Sequence, residues 1–250
     1  MRILILGVGD AFTTRSYGAS AVIEGPEGYL LLDCPDLIHR ALHEASEKSG
    51  WDVSARNIHD IVLTHLHGDH CNGLESFGFK RFVQRISGEV HERPRLHTHP
   101  RAGARLWERL APAMDAPLTK DSDHASLDDF FDLRIFDPAN RPCATIAGLT
   151  IEARHTIHPI PTIGLRISDG RSTLGWSGDT TYDADHIQWL SSADLIVHET
   201  NLGPAHTHIE LLNALPEQVR AKMRVTHLHD EFDPASSLIP ILEAGEVLEI

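Results

Sequence analysis

The chain has 250 residues, 41% of them hydrophobic and 23% charged, an ordinary globular composition that one large domain can fill. Its 22 Lys and Arg stand against 36 Asp and Glu, a formal net charge of −14. A long RNA or DNA demands a basic face to neutralise its phosphates, so nucleic acid is disfavoured and a small-molecule substrate is the default expectation. Three widely spaced cysteines, Cys34, Cys71 and Cys143, with no CxxC pair, build no disulfide framework and fit a reducing cytosol. The N-terminus, MRILILGVGDAF, lacks the length and cleavage region of a signal peptide, and no stretch approaches the roughly 18 apolar residues of a membrane span. A cytoplasmic protein without a membrane partner is expected, with a homodimer left open.

In chain order, the run RILILG at 2–7 reads as a buried first strand. SAVIEG (20–25) and YLLLDC (29–34) follow as strands, with Gly25-Pro26-Glu27-Gly28 as a hairpin loop between them. Leu37, Ile38, Ala41, Leu42 and Ala45 are spaced for a helix that ends at Gly50, and DIVLTH (60–65) is the next strand. From Phe77 to Pro142 the chain mixes Arg, Pro, Asp and aromatic residues without a clear period. This segment is expected as a partly helical insertion over the core at about 77–142. It would hold a helix at Ala102–Leu110 and a solvated acidic loop at Asp121–Asp132. Strands are then predicted at 149–155, 163–167, 172–178, 194–199 and 223–228, and helices at Asp183–Leu190 and Ile209–Ala221. Strands flanked by helices in both halves predict an α/β layered sandwich. No repeat, low-complexity segment or linker divides the chain, so a single domain over 1–250 is expected.

Histidine is the commonest transition-metal ligand among side chains, and the chain carries 18 of them, with no His run that would mark a tag. The strongest signal is Thr64-His65-Leu66-His67-Gly68-Asp69-His70, on the loop that follows the IVL strand. Three imidazoles and a carboxylate within six residues can ligate two ions. His65 and His67 can face one while Asp69 and His70 turn toward the other, with Gly68 permitting a sharp chain reversal.

HxHxDH after an apolar strand resembles the signature of the metallo-β-lactamase superfamily. Further matches along nearly the whole chain resemble its ribonuclease Z and small phosphodiesterase branch. They are the glycine-rich turn at Leu6-Gly7-Val8-Gly9-Asp10-Ala11 with Arg15 and Ser20, and Leu32-Asp33-Cys34. His158-Pro159-Ile160-Pro161-Thr162-Ile163-Gly164, Gly178-Asp179-Thr180, His198-Glu199-Thr200 and Val225-Thr226-His227 complete the set. The resemblance implies an αββα sandwich with His65, His67 and His158 on one ion, Asp69, His70 and His227 on the other, and Asp179 bridging both. His155 competes with His158, and His229 with His227. In the resembled branch a further histidine contacts the substrate phosphate and protonates the leaving group. His206 is favoured over His208 for that role, with Glu199 orienting it. Asp33, Arg15, His97 and His99 are read as surface or structural residues.

The resemblance therefore implies a dinuclear metal-dependent hydrolase, foremost a phosphodiesterase on a small or cyclic phosphodiester, with a hydroxide shared by the two ions as nucleophile. Asp69, His206 and Glu199 would be its catalytic residues, and two divalent ions its cofactors, zinc favoured, manganese or iron also fitting. The alternatives on the same site are a tRNA 3′-end endonuclease or a lactone, thioester or sulfate-ester hydrolase. Outside enzymology the alternative is a diiron redox or oxygen-binding protein, against which the intact HxHxDH speaks. Pro35-Asp36 stands where ribonuclease Z carries Gly-Glu, and no basic glycine-rich arm is evident. An RNA reading would need Arg81, Arg85, Arg93, Arg95, Arg101 and Arg105 to form one basic face.

Overall fold

A computed structural model describes residues 1–116 and 124–250. The order of elements in the first half is β1 (Arg2–Gly7), β2 (Ser20–Gly25), β3 (Gly28–Leu32), α1 (Ile38–Ser49), β4 (Ile58–Val62), α2 (Gly68–Cys71), α3 (Gly73–Ile86), β5 (Arg95–Thr98), α4 (Pro100–Met114), α5 (Leu127–Phe130) and β6 (Asp132–Ile135). The second half runs β7 (Ala144–Ile146), β8 (Leu149–His155), β9 (Ile163–Ser168), β10 (Thr173–Trp176), α6 (Ala184–Leu190), β11 (Leu195–Glu199), α7 (Ile209–Asn213), α8 (Glu217–Arg220), β12 (Met223–Thr226) and β13 (Val247–Glu249). No helix among the described residues is long and apolar enough to cross a membrane.

The strands form a sheet ordered β13-β1-β2-β3-β4-β5-β6 and a second ordered β12-β11-β10-β9-β8-β7. Each is mixed. From β3 to β6, and from β10 to β12, neighbours run parallel; the remaining pairs are antiparallel. Alternation along β1 sorts its side chains between two cores. Ile3 and Ile5 pack between the sheets with Leu165, Ile167 and Val197, whereas Leu4 and Leu6 pack outward against α1 and α3 residues such as Leu42 and Phe77. Because both faces are covered, β1 reads as a continuous apolar run. Ile187 and Leu190 of α6 and Leu212 of α7 close the outer face of the second sheet over Ile196 and Val225. The layers are therefore αββα, as expected.

Three expectations fail locally. Residues 77–142 are not simply laid over the core, because β5 and β6 from that segment extend the first sheet in parallel. The acidic run is not one solvated loop. Ser126 and Asp129 form a capping box for α5, Asp132 opens β6, and Asp121 to Asp123 lie outside the described residues. The helix expected over Ile209–Ala221 is two, because Pro216 disfavours helical backbone at the residue before it.

The parallel halves position the site. The HxHxDH segment follows β4, Asp179 follows β10, Glu199 ends β11 and His227 follows β12. All four lie at carboxyl ends of parallel strands, where α/β sheets present their ligand-binding loops.

Candidate metal centre

His65, His67, His158 and Asp179 gather in one group, and Asp69, His70, His227 and Asp179 in another, the donor atoms of each within 4.8 Å of one another. Asp179 belongs to both. In the first group His67 Nδ1 lies 3.1 Å from His65 Nε2 and 3.0 Å from His158 Nε2. Asp179 Oδ2 lies 3.7 Å from each of those Nε2 atoms. In the second, Asp69 Oδ2 is 3.0 Å from His227 Nε2 and 3.4 Å from His70 Nε2, while Asp179 Oδ1 is 3.4 Å from His70 Nε2. Two ligands roughly 2.0–2.1 Å from one tetrahedral ion lie about 3.4 Å apart, so these separations have the size of coordination edges.

The chemistry of the donors points the same way. His70 Nε2 is buried with no hydrogen-bond partner, an arrangement that costs free energy unless something else satisfies the nitrogen. Burial drives His65 well below its ordinary pKa, with His70 adding to the effect, so its imidazole is held neutral as a ligand requires. Burial would raise Asp69, but His227 and His70 outweigh it and keep the carboxylate ionised. Five imidazoles and two carboxylates, borderline and hard donors converging in a buried nest, fit divalent transition ions.

Supporting residues fix the rings from behind. Asp33 is fully buried, sits in the left-handed region at φ 57, and accepts bonds from Thr64 N at 2.8 Å and from His70 Nδ1 at 2.8 Å. Thr64 Oγ1 lies 3.0 Å from His65 Nδ1, and His158 Nδ1 donates to Ala205 O at 3.2 Å. His227 is also left-handed, at φ 62, a conformation that persists only where its surroundings enforce it. Asn201 does so by donating to His227 O at 3.2 Å and to Asp10 Oδ2 at 2.9 Å. Gly178, φ 58, turns the chain into Asp179, and a Cβ there would stand 2.4 Å from Ile163 O. Gly68 makes no such reversal. It begins α2 with ordinary backbone, and what its missing side chain leaves room for is the Asn72 amide.

The competing histidines separate cleanly in space. His155 Nδ1 faces Thr162 O and His229 meets Phe232 edge to face, so neither joins a donor group. His206 Nδ1 lies 3.2 Å from Glu199 Oε1, whereas His208 Nε2 bonds Gly203 O. Burial opposes charge on His206, but Glu199 outweighs it and raises its pKa; burial in turn raises Glu199. Of the four residues read as structural, His97 bonds Asp60, His99 bonds Pro161 O and Arg15 bonds Asp230 O. Only Asp33 reaches the donor nest. Asp10, Thr64 and Asn201 are the supporting residues whose roles sequence reasoning missed; Asp10 stood in the glycine-rich first turn and Thr64 opened the HxHxDH segment, while Asn201 carried no signal.

A cleft of about 570 Å³ opens over the nest, with Asp69, Asp179, His206 and His227 in its wall. A second hollow of about 490 Å³, lined by Leu66, Ile160, Arg101, Arg105 and Arg109, adjoins it across His67.

The metallo-β-lactamase fold protein YhfI from Bacillus subtilis superposes with a TM-score of 0.81 at 20% identity, over 99% of this chain and 98% of that one. That likeness gives the fold class, the metallo-β-lactamase fold, and the donor nest gives it a candidate centre for metal-dependent hydrolysis. Within that class, the family model for the Anti-Pycsar protein Apyc1 matches residues 1–243, and the chain belongs to that family. The Anti-Pycsar protein Apyc1 of Paenibacillus sp. (strain J14) is 28% identical over 241 residues, 93% of this chain and 91% of the relative. The cGMP-dependent 3′,5′-cGMP phosphodiesterase A of Dictyostelium discoideum is 25% identical over 262 residues, which cover 97% of this chain and 27% of that protein.

Proposed function

We propose that the chain hydrolyses the phosphodiester of 3′,5′-cyclic nucleotides to the linear monophosphate. The observation that carries this reading is the shared Asp179. One carboxylate spans two groups of imidazole donors, the arrangement that a pair of ions about 3.5–4 Å apart requires. A relative of nearly full coverage of this chain bears the name of a 3′,5′-cGMP phosphodiesterase. His65, His67 and His158 would hold one ion, Asp69, His70 and His227 the other, with zinc the first choice for such donors. Bound there, the ions supply Lewis acidity toward the phosphoryl oxygens and a water acidic enough to attack at neutral pH.

The chain's own residues do the rest. Asp69 turns Oδ2 toward the donor atoms of His227 and His70, and its other oxygen would orient the attacking water. His206 lines the cleft, and with Nδ1 on Glu199 its Nε2 is the nitrogen left to give a proton to the departing sugar oxygen. The cleft volume lies within the roughly 300–1,000 Å³ of small-molecule sites.

The test is a panel of cyclic nucleotides, bis-p-nitrophenyl phosphate, a lactone and a pre-tRNA, run on metal-replete protein. Cyclic nucleotides should give linear monophosphates, and elemental analysis should approach two ions per chain. Turnover of the lactone or the pre-tRNA without turnover of any cyclic nucleotide would overturn the reading, as would one ion or fewer per chain.

A further inference from the structure

The rim of the cleft contains two apolar side chains that the fold holds in solvent. Phe12 is 87% exposed and Leu37 63% exposed, and both line the cleft whose wall carries Asp69, Asp179 and His206. A mobile loop would bury such groups or sample many positions. The Phe12 loop is instead tied down. Thr13 Oγ1 bonds Asp230 Oδ1 at 2.5 Å, Thr14 N and Oγ1 bond Asp230 Oδ2 at 2.8 and 2.6 Å, and Arg15 bonds Asp230 O at 2.9 Å. Phe12 N itself donates to Asp10 Oδ1 at 3.0 Å. Leu37 sits at φ 58, left-handed backbone that a leucine rarely adopts, at the start of α1. Strain and exposure coincide on one apolar residue facing the cleft, a combination that recurs where a ligand is gripped.

The polar side chains beside them are already engaged. The Asn72 amide bonds Asp36 and Arg109, the Asn201 amide bonds Asp10, His227 O and Leu202 N, and the Tyr17 hydroxyl bonds Glu44. Beside these engaged groups the rim offers a substrate the exposed aromatic face of Phe12 and the apolar surface of Leu37. On the reading of a cyclic-nucleotide hydrolase, we infer that Phe12 and Leu37 grip the nucleobase while the cyclic phosphate lies on the donor nest. An aromatic face stacks on any base, because every base has a π surface, and the contact needs no donor or acceptor from the protein.

The experiment measures kcat and KM for a cyclic purine nucleotide, a cyclic pyrimidine nucleotide and base-free ribose 3′,5′-cyclic phosphate. Phe12→Ala should raise KM for both nucleotides by roughly 5- to 100-fold, the size of a lost base–aromatic stack. Little change in kcat is expected, and the defect should be confined to substrates that bear a base. Phe12→Trp should keep KM at or below the wild-type value. Leu37→Gly suits the left-handed backbone, so KM for the nucleotides should rise while Tm holds or increases. A purely structural role would move Tm and KM together. Unchanged KM in Phe12→Ala, or an equal rise on the base-free phosphate, would overturn the inference alone. Wild-type protein that neither binds nor cleaves a cyclic nucleotide would remove the functional reading and this inference with it.

Discussion

His206 and Glu199 carry the sharpest test at the scale of single residues. Glu199 Oε1 takes His206 Nδ1 at 3.2 Å, which fixes the ring and raises its pKa against the pull of burial. A histidine so held has its charged form favoured and its ring fixed, as a proton donor needs. His206→Ala should leave metal content unchanged and lower kcat by roughly 10²–10⁴-fold on a cyclic nucleotide. The loss should shrink on p-nitrophenyl esters, whose leaving group needs little protonation; an equal loss on both would rule the acid role out. Asp33 is the second residue to probe, because its carboxylate orients His70. Asp33→Ala should weaken metal affinity by roughly 10- to 100-fold, measured by competition with a chelator. The sequence showed the Leu32-Asp33-Cys34 pattern but not its use, because His70 stands 37 positions away and only the fold joins them. Pattern favoured His206 over His208 without excluding the latter, and it is the contact of His206 with Glu199 that separates two histidines so near each other on one loop.

At the scale of elements, legibility followed burial. β1, β2, β8, β9 and β11 are enclosed on both faces or alternate cleanly, so their apolar pattern declared them. β6 does neither, and β5 is buried without being apolar. Each is four residues long, and Arg95, His97 and Arg134 replace the apolar residues that mark a strand. β6 is the edge of its sheet, where charge protects against pairing with another chain. β5 lies inside the sheet, and its polar side chains are neutralised by Asp60 of β4. Arg95 donates to Asp60 at 2.7 and 2.6 Å, and His97 Nε2 lies 2.8 Å from it. Burial would raise the Asp60 pKa, but Arg95 and His97 outweigh it and hold it at about 2, below the ordinary 3.8. A depressed carboxylate stabilises the fold above its unfolded pKa and loses that contribution as pH falls toward its folded one. Asp60→Asn should therefore cost about 1–3 kcal/mol at pH 7. The Tm gap from wild type should narrow between about pH 4 and pH 2. A gap independent of pH would show that the ion pair contributes nothing beyond hydrogen bonding.

The whole molecule carries −14 formal charges, yet its proposed substrate is an anion. Net charge is an average and binding is local, so the placement of the arginines decides whether a polyanion could bind. Arg81 is buried, spending its guanidinium on the carbonyls of Ala55, Arg56 and Glu92. Arg85, Arg93 and Arg95 line one hollow together with Glu92 and Asp132. Arg101, Arg105 and Arg109 line another, the one that adjoins the cleft at His67. The six arginines that an RNA reading needs are thus split among the interior and two separate hollows, each carrying acidic neighbours, Glu108 in one and Glu92 and Asp132 in the other. No continuous basic face results from them. Affinity for a polyanion comes from counterions released at each neutralised phosphate, and it falls steeply with salt when many phosphates are engaged. A cyclic nucleotide brings one charge, and the donor nest that meets it is largely out of solvent, where screening is weak. Its kcat/KM should change less than about threefold between 50 and 200 mM salt, and pre-tRNA cleavage should be weak or absent across that range. Efficient pre-tRNA processing that collapses with added salt would contradict both halves of this prediction. It would mean that the three arginines of α4, beside His67, suffice to seat an RNA backbone against the site.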